Sequence, residues 1–286
     1  MTPSSRLWAV DKLLLAYCAF TSALILGWWR EVPGAAGLMA VHAVAVSLLL
    51  FEAKLPNPTS WAFRHWYPLP YVAACYREMA ILIPPIRARD FDTLMSRIDY
   101  RFWGVHPSVW LERIQTTALT EYLQIVYTAF IPAVLLVAYL LWRGRRYHEF
   151  QYYAFLIAGG FLASYIGYLL VPVRGPRFLL ADLQHIPLRG GWFFHSMRSG
   201  LDSLESAHYD CFPSGHTELT ILAWWSTRKI SNRLFWAYFA YTLSIIFATV
   251  YLRYHYSVDL LAGAVLAVVL LAGAPSLFRR LGGGSV

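Results

Sequence analysis

The chain has 286 residues, of which 58% are hydrophobic, 17% aromatic and only 14% charged, against roughly 25% charged in an ordinary soluble domain. That balance excludes a water-soluble globular enzyme and points to the membrane. The net charge of +8 would suit a nucleic acid, but the basic residues sit at the ends of apolar runs rather than along one stripe, so no nucleic-acid partner is expected.

In chain order, the windows 13–29, 32–51, 122–142, 152–173, 234–252 and 260–278 carry no charged side chain. Each has about the 17 to 25 residues that cross a hydrocarbon core as a helix, the form in which a single segment satisfies its own backbone in lipid. The first resembles a signal peptide, yet no small-residue cleavage site closes it and a second span follows at once, so it is read as retained. Segment 66–86 is apolar apart from Arg77 and Glu78, and one further crossing there is needed to bring residue 122 in from outside. Segment 87–121 mixes charges with Phe91, Leu94, Ile98, Phe102 and Trp103 and reads as amphipathic and interfacial. A shorter apolar run, 219–227, follows the motif D-C-F-P-S-G-H-T; started at Pro213, its helix has about 15 residues.

Arg6 and Lys12 precede the first span, Arg143, Arg145 and Arg146 follow another, and Arg228, Lys229, Arg233, Arg279 and Arg280 close two more. By the positive-inside rule these ends are cytoplasmic, which sends loops 174–210 and 253–259 to the opposite face. Three scattered cysteines, Cys18, Cys75 and Cys211, make neither a disulfide nor a metal framework. The expected architecture is an all-α polytopic bundle of about six to eight transmembrane helices. It divides into N-terminal transmembrane and interfacial helices (1–121), a catalytic core (122–278) and a flexible tail (279–286).

The candidate chemistry lies in the loops of that opposite face. In Y-L-R-Y-H-Y-S-V-D-L-L-A-G, His255 and Asp259 are four apart and on a helix share one face. The carboxylate accepts the imidazole Nδ1 proton and leaves Nε2 free as a nucleophile. In P-S-G-H, Pro213 suits a first helical turn whose free N–H groups attract an anion. Gly215 allows close approach, Ser214 adds a hydroxyl and His216 can donate a proton. Arg174 and Arg177, in V-P-V-R-G-P-R-F, can each fork onto phosphate oxygens. Taken singly, these features are more often a structural pair, a capped turn and headgroup anchors; three of them on one face make phosphate chemistry the better reading.

His42, His65, His106, His148, His185, His195 and His208 are read as packing, interface or loop residues, with His208 and Asp210 as candidates for the mouth of the site. Trp192, Phe193 and Phe194, between Arg189 and Arg198, read as an interfacial patch that helps admit a lipid.

P-S-G-H and H-x-x-x-D-x-x-x-G, in this order with a span between them, resemble the second and third signatures of the type 2 phosphatidic acid phosphatase superfamily, a fold shared with vanadium haloperoxidases. The resemblance covers roughly 122–273. It implies a metal-independent, cofactor-free phosphoryl transfer. His255 would form a phosphohistidine, His216 would protonate the leaving oxygen, Asp259 would orient His255, and Ser214, Gly215 and the arginines would hold the equatorial oxygens. The chain departs from the phosphatase pattern at Leu170, where a Lys is usual, at Phe178, where a Pro is usual, and at Thr249, where an Arg is usual; Arg253 is the candidate replacement for that last charge.

G-P-R, T-V-Y-L-R-Y-H-Y and D-C-F-P-S-G-H-T look closer to the branch of inositol phosphorylceramide and sphingomyelin synthases, in which a lipid alcohol accepts the phosphate. The expectation is therefore a membrane lipid phosphatase or phosphotransferase. Its substrate is a lipid phosphate in the bilayer, its acceptor is water or a lipid alcohol, and its site is on the non-cytoplasmic face, periplasmic if the source is bacterial. The alternatives are a sphingolipid-synthase-like transferase and a non-enzymatic lipid-binding or transport protein of the same fold.

Overall fold

The structure is a computed structural model that describes residues 7–54, 58–204 and 209–285. Its helices are α1 (Ala9–Gly27), α2 (Ala35–Glu52), α3 (Pro58–Trp66), α4 (Pro68–Ile86), α5 (Asp92–Trp103), α6 (Pro107–Trp110), α7 (Thr117–Thr128), α8 (Phe130–Arg143), α9 (Tyr147–Leu170), α10 (Pro176–Leu179), α11 (Trp192–Leu204), α12 (Gly215–Thr227), α13 (Asn232–Tyr251) and α14 (Ser257–Arg280). Short 3₁₀ turns stand at Leu111–Ile114 and Ala181–Leu183. Among the described residues there is no strand, only an isolated bridge between Val173 and Asp210. The protein is an all-α polytopic membrane bundle.

Five of the described helices, α1, α2, α9, α13 and α14, are long and apolar enough to cross a bilayer. The window expected at 122–142 is a sixth only in broken form, because α7 and α8 meet at an angle of 45°. Pro132 explains the break: it has no N–H to give to the carbonyl four residues back, at Thr128, where α7 ends. The segment expected to cross at 66–86 is represented by α4, whose Glu78 is buried and meets His42 Nε2 at 2.8 Å. With Arg77 and Glu78 inside it, α4 is not apolar enough to stand with the five.

The central element is α9, which packs against α1, α3, α4, α8, α12 and α14. Leu14, Ile25, Val137, Leu222, Ile245 and Ala267 from these and neighbouring helices lie in one apolar core. Polar groups enter this core only with partners: Asp11, fully buried at the start of α1, accepts hydrogen bonds from Arg64, Tyr67 Oη and the Trp8 N–H. A buried charge without such partners would cost several kcal/mol, on the order of 3–5 when one member of a pair is removed.

The two ends of the bundle differ. At one end Lys12 Nζ donates to the Leu281 carbonyl at 2.7 Å, His148 Nε2 lies 2.8 Å from the Gly283 carbonyl, and Glu149, Arg228, Lys229 and Pro275 line a common cleft. The loops that follow α9, precede α12 and join α13 to α14 meet one another away from these groups.

Helix α5 lies across those loops. Its buried residues are Asp92, Met95, Ser96 and Asp99, while Phe102 and Trp103 are exposed by 77% and 55%. The helix is amphipathic with its carboxylates inward and its aromatic rings outward, which suits the membrane interface.

Candidate active site

The three loops are stitched by their backbones. Cys211 N–H donates to the Val173 carbonyl (3.2 Å), Arg177 N–H to the Arg253 carbonyl (3.2 Å) and Ser214 N–H to the Asp259 carbonyl (3.0 Å). Helix α12 starts at Gly215, with the Ser214 side chain as its cap, accepting from Thr217 N–H at 3.3 Å. Pro213 therefore stands before the cap rather than in the first turn, and its bond to Phe212 is cis. At 13 residues, α12 spans only about 20 Å, even shorter than the sequence implied.

His255 also lies outside its helix, two residues before α14 begins. Its nearness to Asp259 does not come from a shared helical face. Asp259 occupies the third position of α14 and folds back to accept the Tyr256 N–H at 2.9 Å, so its carboxylate points out of the helix start, and Oδ2 lies 3.4 Å from His255 Nδ1. On the other side of the ring, His255 Nε2 lies 3.4 Å from His216 Nδ1, with the two rings inclined at 68°. His255 and Asp259 are buried, and His216 is half-buried. The His216 ring is walled by Tyr127 and Phe130, each 4.5 Å away, from the two sides of the α7–α8 break.

Ser214 and Gly215 directly precede His216, and the Ser214 N–H reaches the other histidine-bearing segment at the Asp259 carbonyl. A side chain at Gly215 would come 2.8 Å from Tyr168 Oη, and one at Gly263 would press on the Ser214 carbonyl. Both glycines let α12 pack closely, against α9 and α14 respectively. Arg174 and Arg177 both stand over the Phe178 ring, at 4.6 and 4.8 Å. The buried Nε of Arg174 has no hydrogen-bond partner among the described residues.

Arg253 is different. Its backbone is left-handed (φ 69°) and its guanidinium donates to Glu112 Oε1 at 2.8 Å, to Gln184 Oε1 at 3.3 Å and to the Ile186 carbonyl. Burial lowers its pKa and the Glu112 charge acts in the opposite sense. In the structure the Arg253 charge is held in a buried ion pair with Glu112.

Sequence reasoning missed the carboxylates that hold the loops. Asp92 accepts from Arg174 N–H (2.8 Å), Gly175 N–H (2.8 Å) and Tyr256 Oη (3.0 Å). Asp99 accepts from Ser257 N–H (2.8 Å), Ser257 Oγ (2.8 Å) and Val258 N–H (3.0 Å). The signal was present: two aspartates seven apart fall on one helical face. Glu121 holds Gly191, Phe193 and Phe194 by their N–H groups at 2.7, 2.9 and 3.0 Å. Asp210 accepts from Tyr76 Oη at 2.6 Å, and His208 lies outside the described residues. Of the remaining histidines, His65, His106 and His195 pack against rings, His42 and His148 are hydrogen-bonded elsewhere, and His185 is exposed.

A family model described as the PAP2 superfamily matches residues 95–273, more than half of the chain. The chain belongs to the PAP2 superfamily. The match begins inside α5, well before the core boundary expected at 122. A PA-phosphatase related-family protein of Dictyostelium discoideum is 31% identical over 106 residues, which are 36% of this chain and 19% of that protein. The chain thus matches less than a fifth of the length of this curated relative. No solved structure matches it. Membership of the family points to phosphatase-type chemistry on phosphate esters.

Proposed function

We propose that this PAP2 protein cleaves a lipid phosphate ester or anhydride through a phosphohistidine, without a metal ion. The observation that carries the reading is the alignment of Asp259, His255 and His216, with Oδ2 3.4 Å from Nδ1 and Nε2 3.4 Å from the second imidazole. In the first step His255 Nε2 attacks phosphorus as the bond to the leaving oxygen breaks, and His216 gives that oxygen its proton. Asp259 stabilises the positive charge that develops on His255. In the second step an acceptor hydroxyl attacks phosphorus, the N–P bond breaks and the acceptor's proton passes to His216. Ser214, Gly215, Arg174 and Arg177 hold the phosphate oxygens. Arg253 acts indirectly, by holding loop 184–186 against Glu112.

Water and a lipid alcohol are both competent acceptors. The rings of Tyr127 and Phe130 on His216 favour transfer to a lipid alcohol as the second reading, since they restrict water around the proton donor. The site faces the non-cytoplasmic side, because the basic ends gather at the other end of the bundle. The catalytic core runs from α5, upstream of residue 122, since α5 holds two of the three loops.

Full-length protein in detergent, given a panel of lipid phosphates with and without ceramide or diacylglycerol, tests this against the His255→Ala variant. Turnover by the wild type that survives chelators and is lost in the variant is expected. Free phosphate marks a hydrolase; phosphorus in a new lipid marks a transferase. Equal activity in the two proteins, or none in either, sinks the proposal and leaves a non-enzymatic lipid-binding role.

A further inference from the structure

Leu170 and Thr249 bring no charge to the site, and Arg253 is bound to Glu112. A phosphate group in a half-buried site still needs its charge balanced. The replacement comes from the segment between the first two motifs.

Helix α11 is fastened at its start by the Glu121 carboxylate, which takes three of its entry N–H groups. Glu121 lies on α7, six residues before Tyr127, so the helix that walls His216 also sets the position of α11. Phe194 is buried, and Arg198, one turn further on, lays its guanidinium 5.6 Å from the Phe194 ring and 6.0 Å from the Tyr254 ring. Arg177 approaches the same Tyr254 ring at 4.9 Å. Tyr254 stacks on Tyr127 at 4.4 Å, and Tyr127 stacks on His216 at 4.5 Å.

Two guanidiniums thus meet at one tyrosine, next in sequence to the nucleophile and one ring removed from the proton donor. Among the residues whose side chains are described, no carboxylate pairs with Arg198. Burial lowers the Arg253 pKa, Glu112 opposes it, and the Arg198 charge adds a smaller push in the same sense as burial. A guanidinium fork fits a phosphate edge.

We propose that Arg198, delivered by α11, is a third phosphate-binding cation of the site and supplies charge that Leu170 and Thr249 do not. The ligand is the oxyanion of the substrate's phosphate ester. The proposal rests on the reading of His255 and His216 as the centre that handles that ester.

The test uses full-length protein in detergent, with Arg198→Gln, Arg198→Lys, His255→Ala and, as a control for net charge at the far end of the bundle, Lys229→Gln. Orthovanadate serves as the phosphate-like probe, read both as an inhibitor and as a ligand that raises the thermal midpoint. Arg198→Gln is expected to raise KM and the half-inhibiting vanadate concentration at least tenfold, at an unchanged midpoint without vanadate. Arg198→Lys falls between, and Lys229→Gln matches the wild type. Wild-type KM and vanadate sensitivity in Arg198→Gln, beside an inactive His255→Ala, overturn the role of Arg198 and leave the histidine mechanism standing. If the wild type turns nothing over, the ester reading fails and the midpoint decides: vanadate stabilisation that Arg198→Gln loses keeps the anion contact, and its absence in the wild type overturns it.

Discussion

Gly175→Ala offers a sharp test of how the loops set the geometry of the site. Gly175 has φ +103° and ψ 163°, a region that essentially only glycine occupies and that costs another residue on the order of 1–3 kcal/mol. A Cβ there would lie 2.6 Å from the Tyr254 carbonyl oxygen and 3.0 Å from Cys211 Sγ, where ordinary contact starts at 3.4 Å. Relief of the shorter contact needs a displacement of 0.8 Å, the difference between those two values. The displaced atom belongs to the peptide that leads into His255, and Gly175 is held from behind by Asp92 at 2.8 Å, so part of the movement passes to His255, the proposed nucleophile. A misplacement near 1 Å costs about a hundredfold in rate. Steady-state kinetics on detergent-solubilised protein should therefore give a kcat about a hundredfold lower, with a smaller change in KM, and a thermal midpoint below that of the wild type. A folded Gly175→Ala with wild-type kcat would refute the coupling between the G-P-R loop and His255.

Three further outcomes follow from buried contacts. Ser214→Ala removes the cap of α12 and should lower stability by about 1 kcal/mol, measured as a fall in the thermal midpoint. Glu112→Ala strands the buried Arg253 guanidinium and should cost about 3–5 kcal/mol, whereas the double variant Glu112→Leu, Arg253→Met should recover much of it; a double variant no more stable than the single would contradict the pairing. Asp99→Ala uncaps α14 and should lower stability by about 2 kcal/mol, with Asp99→Asn intermediate on the same thermal assay.

What the sequence makes readable here is local. The residues of P-S-G-H are consecutive and His255 stands four from Asp259, and apolar windows locate spans because lipid leaves a helix little choice. Pro213 was harder, since Ser214 and a Pro both suit a helix start and only the Thr217 N–H bond decides which residue is the cap. Nothing local distinguishes Arg253 as a free cation from Arg253 as half of a pair, because Glu112 lies 141 residues away. The same holds for Asp92 and Gly175, 83 residues apart: the pattern of α5 advertises its aromatic outer face, while its inner carboxylates look like ordinary surface charge. The break between α7 and α8 was hidden inside an uninterrupted apolar window in which Pro132 was the one warning.

Helix α5 also bears on where a phosphate can sit. Two long helices, α12 and α14, begin at the site, and each N-terminus is an anion-attracting end. At α14 that capacity is spent: Asp99 takes the Ser257 and Val258 N–H groups and Asp259 takes that of Tyr256. Two carboxylates there would repel a phosphate rather than hold it. At α12 the first turn is only partly satisfied, with Thr217 N–H given to Ser214 Oγ and Glu218 N–H to the Ser214 carbonyl; among the described residues, the N–H groups of Gly215 and His216 have no partner. The attraction is thus one-sided. On the proposed mechanism it would draw phosphate oxygens toward α12 and its flanking arginines and leave the phosphorus facing His255, beside the Asp259 carboxyl group. The acid side chains of α5 and α14 and the cations of the loops divide the site electrostatically, and this division supports the proposed attack by His255 on a phosphate at the start of α12.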